Sequence, residues 1–378
     1  MLALKKITAM DARTAYQQEE AALLRINRLD HKHLVKSIDS FKRGRDYFFL
    51  FPWADGGDLD GLWKKYDVGD DPKHPLNRSP EMKRWLLTQV GGIVSAINAM
   101  HNLPDIPDDS EENGRHGDIR SKNVLLFYDA EWGSPETETR HPWSVGAGGR
   151  LCLADVGLAR FHDKITDNRG DPTKTKGIYL EYSPPEMRRV NPDGRRPPRS
   201  RKYDIWALGC LFHDLIIWVL FGVAGVERYR NLRNTDNSES PYSQFYAWQR
   251  SNDRCKVNPQ VKKSLCDIRK QLEGREKWLL ELTNIVEHDL LQVKEDRRKD
   301  AKYLNDKLND MMKKEGCYVD AGPQPDLGGS TGGERSDTVV SNNTASSSKT
   351  GKKESKKKKR TSQLGGFFKR FQQSKDGS

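Results

Sequence analysis

The sequence predicts an α+β fold, with strand-like runs up to Trp53 and helical patterns dominating from Ser79 onward. Three observations carry this. Strand-like runs at 1–7, 37–41 and 46–53 fall in the first stretch, apolar residues recur at helical spacing in the second, and two short apolar runs, 124–127 and 151–154, stand between turn-formers in the middle. At 378 residues the chain is long enough for one large two-lobed domain or two small ones.

Residues 1–7 read as a strand that puts Ala3 and Lys5 on one face and Leu4 on the other. Residues 14–29 have helical spacing, with Leu23, Leu24 and Ile26 set among Glu, Gln and Arg. A turn at 31–35 and a strand at 37–41 follow, then the very apolar strand 46–53, which stops at Pro52. Gly56-Gly57-Asp58-Leu59 is a turn into a helix, and Ser79-Pro80-Glu81 is a capped helix start with Pro at the first helical position, running to about His101. Surface loops are expected at 103–114 and 128–149, and a polar, mobile segment at 161–176. After a basic loop at 195–201, helical patterns continue to about Lys314. The most apolar stretch, 210–226, is interrupted by His213 and Asp214 and sits at the lower limit for a membrane span, so it reads as a buried core helix.

The chemistry concentrates between His116 and Asp155. His116-Gly117-Asp118-Ile119-Arg120-Ser121-Lys122-Asn123 runs into the strand 124–127, and Ala154-Asp155-Val156-Gly157 closes the second one. An Asp five residues before an Asn can place a base and a hard-cation ligand on one loop. A second Asp at a strand–Gly turn can offer a carboxylate to the same cation, as Mg²⁺ is bound by one or two carboxylates plus substrate phosphates.

Several ordered motifs together resemble a eukaryotic-type protein kinase, Ser/Thr-like and similar to those of filamentous fungi, over residues 1–314. The resemblance implies a two-lobed kinase-like fold, with a truncated small N-terminal β-lobe at 1–51 and a hinge with a larger helical C-terminal lobe at 52–314. Ala3-Leu4-Lys5 resembles the V-A-I-K strand, which makes Lys5 the partner of the nucleotide phosphates. Glu20 resembles the glutamate that pairs with that lysine, with Glu19 as the near alternative. His116-Gly117-Asp118 stands where H-R-D belongs, making Asp118 the base, while Arg120 takes the position of a cation that meets the γ-phosphate. Asn123 and Asp155 resemble the Mg²⁺ ligands. Pro184-Pro185-Glu186 stands for A-P-E, its Glu paired with Arg298, and Asp204-Ile205-Trp206-Ala207-Leu208-Gly209 resembles the D-x-W-x-x-G motif whose Asp braces the catalytic loop. Ala3 and Leu125 would sandwich adenine, Trp53 and Ala54 would form the hinge, and Asp58 would meet the ribose. The resemblance thus implies transfer of the γ-phosphate of ATP, with Mg²⁺, to a protein Ser/Thr hydroxyl.

The sequence departs from that pattern in places. The family's first two strands and its G-x-G-x-x-G loop would precede Ala3; the expectation is a chain started at an internal Met of a longer product, or a truncated kinase with impaired nucleotide binding. A pseudokinase scaffold is the corresponding alternative function. Gly117 replaces the Arg of H-R-D, which weakens the case for activation through a phosphorylated loop residue, although Thr173 and Thr175 are candidate phosphosites. H-G-D followed by Asn also occurs in small-molecule phosphotransferases, but these lack the motifs at 182–186 and 204–209.

Charge and cysteines bound the partners. The net charge is +11. Of this, residues 349–378 carry +9 and 316–348 carry −3, which leaves +5 on residues 1–315; most of the basic charge sits in the tail rather than on the fold, and no specific nucleic acid is expected. Residues 315–348 read as a disordered linker. The polybasic, Phe-containing tail at 349–371 is expected to meet an anionic membrane or a nuclear-import receptor, or to be solvated. The five cysteines have no metal-ligand spacing and read as reduced thiols of an intracellular, cytoplasmic protein, membrane-associated or nuclear if the tail so directs.

Overall fold

The computed structural model describes residues 1–8, 11–67, 79–102, 114–128, 141–144, 148–155, 181–188, 200–235, 243–249 and 254–317. All belong to one compact unit, Met1–Ala321. The tail, Thr173, Thr175 and Val156 lie outside the described residues.

The N-terminal part is a three-stranded antiparallel sheet in the order β1-β3-β2, made of β1 (Leu2–Lys6), β2 (Asp39–Arg43) and β3 (Asp46–Pro52). Its register sets Ala3 opposite Phe51 and Lys5 opposite Phe49. The β2–β3 turn passes through Gly44 at φ 63°, a conformation glycine adopts without a Cβ penalty. Helix α1 (Ala12–Leu29) crosses the sheet and is capped by Asp11, whose carboxylate accepts from Thr14 N at 3.1 Å. Its buried residues are Glu19, Ala22, Leu23 and Ile26, one stripe at i, i+3, i+4 and i+7. Tyr16 stacks on Phe49 at 5.0 Å and on Tyr47 at 4.7 Å, fixing the helix to β3.

The C-terminal part is mostly helical. It begins with α2 (Leu59–Lys65), capped by Asp58, and α3 (Pro80–His101), capped by Ser79, which accepts from Met82 N at 3.2 Å. Such caps contribute about 1 kcal/mol each. The two central apolar runs pair as the antiparallel ribbon β4 (Val124–Phe127) and β5 (Arg150–Leu153), tied to the first part by a bridge from Leu34 to Leu153. His33 carries the same junction, its Nδ1 2.7 Å from the Leu151 carbonyl. Its ring lies so close to α3 that a Cβ at Gly92 would sit 2.1 Å from Nε2.

Helix α4 (Lys202–Thr235) is the apolar helix, broken at Gly222, where φ 65° and ψ −168° are not helical. Among the described residues it is long and apolar enough to cross a membrane, yet it lies inside the fold, with Trp206 and Trp218 fully buried. Around it pack α5 (Pro259–Leu272) and α6 (Lys277–Ile285), then a π-helical turn at Val286–Leu290 and finally α7 (Ala301–Lys314) against α3. Uninterrupted helix after α4 is corrected by the structure: β6 (Tyr246–Gln249) and β7 (Arg254–Val257) form an antiparallel hairpin there. The expected end of the fold at 314 also falls short, since Cys317 is buried and its N–H donates to the Met312 carbonyl at 2.8 Å.

Candidate active site

Lys5 leaves β1 on the face that looks across to the β4–β5 ribbon. Its Nζ lies 2.6 Å from Glu19 Oε1 and 2.7 Å from Asp155 Oδ1, so two carboxylates 136 residues apart in sequence meet on one ammonium. Burial works to lower the lysine's pKa, but the charges of Asp155 and Glu19 outweigh it and hold it above its ordinary value. Burial raises the Glu19 carboxyl, with Lys5 pulling the other way.

The expected pairing of Lys5 with Glu20 is corrected. Glu20 accepts hydrogen bonds from Tyr16 Oη at 2.6 Å and Ser40 Oγ at 2.7 Å instead. The reason is helical phase: one residue is about 100° of rotation, and Glu19, not Glu20, falls on the buried stripe with Ala22, Leu23 and Ile26. That stripe was the available signal.

Asp155 stands two residues past the end of β5 and has φ 62°. Asp tolerates the left-handed region better than most residues, and such backbone is a reservoir of strain at functional sites. It turns the carboxylate back toward Lys5.

The loop at 116–123 sits beside it. Asp118 is 8% exposed, and Asn123 Nδ2 donates to its Oδ2 at 2.7 Å and to its carbonyl at 2.8 Å. Arg120 Nε stands 3.5 Å from the same Oδ2. Burial raises the Asp118 carboxyl, and the Arg120 and His116 charges with the Asn123 amide pull it back without cancelling the shift. Asn123 is set on a 3₁₀ turn, Ser121–Asn123, and its carbonyl accepts from Ala154 N at 2.8 Å, which joins this loop to the residue before Asp155.

Asp204, fully buried at the start of α4, holds the loop from behind. Its Oδ2 accepts from His116 N at 2.7 Å, its Oδ1 from Gly117 N at 2.8 Å, and His101 Nε2 lies 2.9 Å from Oδ2. Gly117 has φ 80° there. A second buried pair joins Glu186 to the segment before α7: Arg298 meets Glu186 with both terminal nitrogens at 2.7 Å. Next to it, Tyr182 donates to Asp214 at 2.6 Å, and Arg233 reaches Glu181 at 2.7 Å. Sequence reasoning missed His101 and this Asp214–Arg233 cluster. A His ending a helix and an Arg inside another carry no local signal of their partners.

The remaining expected contacts are spread along the junction of the two parts. Ala3 is half-buried on β1, and Leu125 on β4 bridges Asp58. Trp53 is 41% exposed, and Ala54 accepts from Gly57 N at 3.1 Å. One carboxylate oxygen of Asp58 serves as the helix cap, accepting from Gly61 N at 2.7 Å.

The donor set suits a hard cation. With its NH₂ turned to Asp118, the Asn123 side-chain oxygen accepts no hydrogen bond among the described residues and is left as a ligand, with Asp155 beyond. No group of three or more His, Cys, Asp or Glu that could hold a metal occurs among the described residues, so further ligands would be water or substrate oxygens, the usual arrangement for Mg²⁺.

Comparison with known proteins agrees with the geometry. A family model described as "Protein kinase domain" matches residues 1–291. The chain is 24% identical over 216 residues to the mouse serine/threonine-protein kinase Nek3, covering 56% of this chain and 32% of that protein. It is 24% identical over 212 residues to mitogen-activated protein kinase kinase kinase 1 of Arabidopsis thaliana (55% and 27%). It is also 25% identical over 207 residues to the serine/threonine-protein kinase PKH1 of Saccharomyces cerevisiae (52% and 21%). The chain thus spans about a third or less of the length of these relatives.

Proposed function

Because the chain belongs to the protein kinase family, we propose that it transfers the γ-phosphate of Mg-ATP to a Ser or Thr hydroxyl of a protein. The observation that carries this is Lys5 Nζ held between Glu19 and Asp155, beside the Asp118–Asn123 loop. Phosphoryl transfer asks for positioning and charge compensation rather than covalent chemistry.

Each residue then has a task. Lys5, oriented by Glu19, meets the nucleotide phosphates. Asn123 and Asp155 would hold Mg²⁺, which when bound neutralises charge between the β- and γ-oxygens. Asp118, kept in place by the Asn123 amide, orients the acceptor hydroxyl and takes its proton. Arg120 offsets charge on the transferring group. Ala3, Leu125, Trp53 and Ala54 line the seam where the adenine would lie, and Asp58 offers its free oxygen to the ribose. Residues 1–51 act as the nucleotide-covering lobe and 52–314 as the substrate lobe. The polybasic tail at 349–371 would direct the protein to an anionic membrane or an import receptor, which liposome sedimentation with and without acidic lipid distinguishes.

Asp118→Asn tests the reading. Phosphate incorporation into a generic protein substrate should fall by about 10²–10⁴-fold, the usual contribution of a positioned base, while ATP binding is kept. Unchanged transfer would remove Asp118 from the mechanism.

A further inference from the structure

A cavity that shares no residue with the lysine–carboxylate site is walled by β7, α5, the π-helical turn and the residues that follow it. Its volume is about 420 Å³, within the range of ligand pockets. Val257, Leu265 and Leu291 give it apolar walls. Lys256, Lys262, Lys294 and Arg297 surround them; all four are exposed, and none of their side chains makes an ion pair or hydrogen bond among the described residues. Glu287 is the acidic residue of the lining, and Arg269 Nη2 already holds its carboxylate. Four cations around an apolar floor are therefore left uncompensated.

The backbone is specialised here too. Glu287 and His288 belong to the π-helical turn, a geometry met mostly as single turns and often at functional sites. The hairpin that supplies Lys256 and Val257 is held by Asn258, whose Nδ2 donates to the Arg233 and Gln244 carbonyls at 3.2 Å each. The wall is thus anchored to the fold and not a free loop.

We propose that this cleft docks an acidic peptide segment of a partner protein, with one aliphatic side chain seated on Leu265 and Leu291 and carboxylates spread over the four cations. The apolar floor favours a peptide over a nucleic acid, which would present sugar and phosphate to it. Complementary charge speeds encounter and selects the partner. The proposal is independent of the phosphotransfer reading.

The test uses the full chain and a short fluorescein-labelled peptide of Asp and Glu residues around one central photo-leucine. Irradiation should cross-link the photo-leucine within residues 255–297, and anisotropy should show binding that weakens as salt rises. Charge reversal at two rim positions, Lys262→Glu with Lys294→Glu, should weaken binding about tenfold or more. Lys42→Glu, on β2, should leave it unchanged, and replacing the photo-leucine by glycine should weaken it. These positions are exposed, and a thermal melt confirms that the variants fold. Cross-links confined to 349–371 or to the active-site residues would overturn the proposal. So would equal binding by the reversed and native proteins, or preferential capture of a single-stranded RNA or of phosphoinositide vesicles that the reversal abolishes.

Discussion

Removing the Asp204 carboxylate is the sharpest structural perturbation of the site, because it touches no residue assigned to chemistry. Asp204→Ala strands three buried donors: the N–H groups of His116 and Gly117 and the His101 ring. At about 1–3 kcal/mol for each orphaned group, the loss is about 3–9 kcal/mol. That is comparable with the whole stability of an ordinary domain, about 5–15 kcal/mol. Asp204→Asn keeps one carbonyl oxygen. Placed on the Oδ2 side, it still serves His116 and His101 and turns an NH₂ toward Gly117 N, so two buried donors, that NH₂ and the Gly117 N–H, are left unpaired, at about 2–6 kcal/mol. Urea denaturation followed by tryptophan fluorescence measures both. Hydrogen exchange of the peptide spanning 116–123 should rise before global unfolding in the Asn variant. An acid limb gives a further check. Burial works to raise the Asp204 carboxyl, but the His101 hydrogen bond and the charges of His101 and His116 win, and its pKa is depressed. Its contribution is therefore present above the ordinary value of 3.8 and lost as pH falls below it, a limb that the Ala variant should lack. An Ala variant within about 0.5 kcal/mol of the native protein, the scatter of an ordinary surface substitution, would refute the reasoning.

Other outcomes follow from the same geometry. Glu19→Gln should lower phosphotransfer by up to about 10²-fold through a misplaced Lys5, while Glu20→Gln, which disturbs only the Tyr16 and Ser40 bonds, should leave activity near native; the reverse ranking would restore Glu20 to the site. Burial lowers the His33 pKa from 6.5 to about 4. The unfolded chain therefore takes up a proton at higher pH than the fold does, and stability should fall by about 3 kcal/mol as pH drops from 6.5 to 4. His33→Gln should flatten a plot of melting temperature against pH across that window, and an unchanged slope would show that His33 is not the titrating group.

Much of this architecture could be read from residues alone. The strand 46–53, the Ser79-Pro80 helix start and the return to helix after the basic loop at 195–201 carry strong local signals, and each agrees with the observed element to within a residue or two. The β6–β7 pair does not show in the sequence, because each strand has only four residues, too few to display a period of two. The motif order singled out Lys5, Asp118, Asn123 and Asp155, which the structure brings near one another, but not how they touch. The contacts Lys5–Asp155 and Asp118–Asn123 depend on the left-handed turn at Asp155 and on the 3₁₀ turn before Asn123, neither of which has a pattern in sequence. The Glu19–Glu20 ambiguity was legible through burial spacing, though not through motif position.

Asp204 holds residues 116 and 117 by their main-chain amides rather than by their side chains. A clasp of this kind is blind to what residues 116 and 117 carry, so the path of the loop and its composition can vary independently. Glycine at 117 also meets the φ of 80° without the roughly 1–2 kcal/mol that a Cβ adds in that region. The clasp consequently sets the trajectory of the loop through its backbone, and at position 117 any side chain larger than hydrogen would put tension into it.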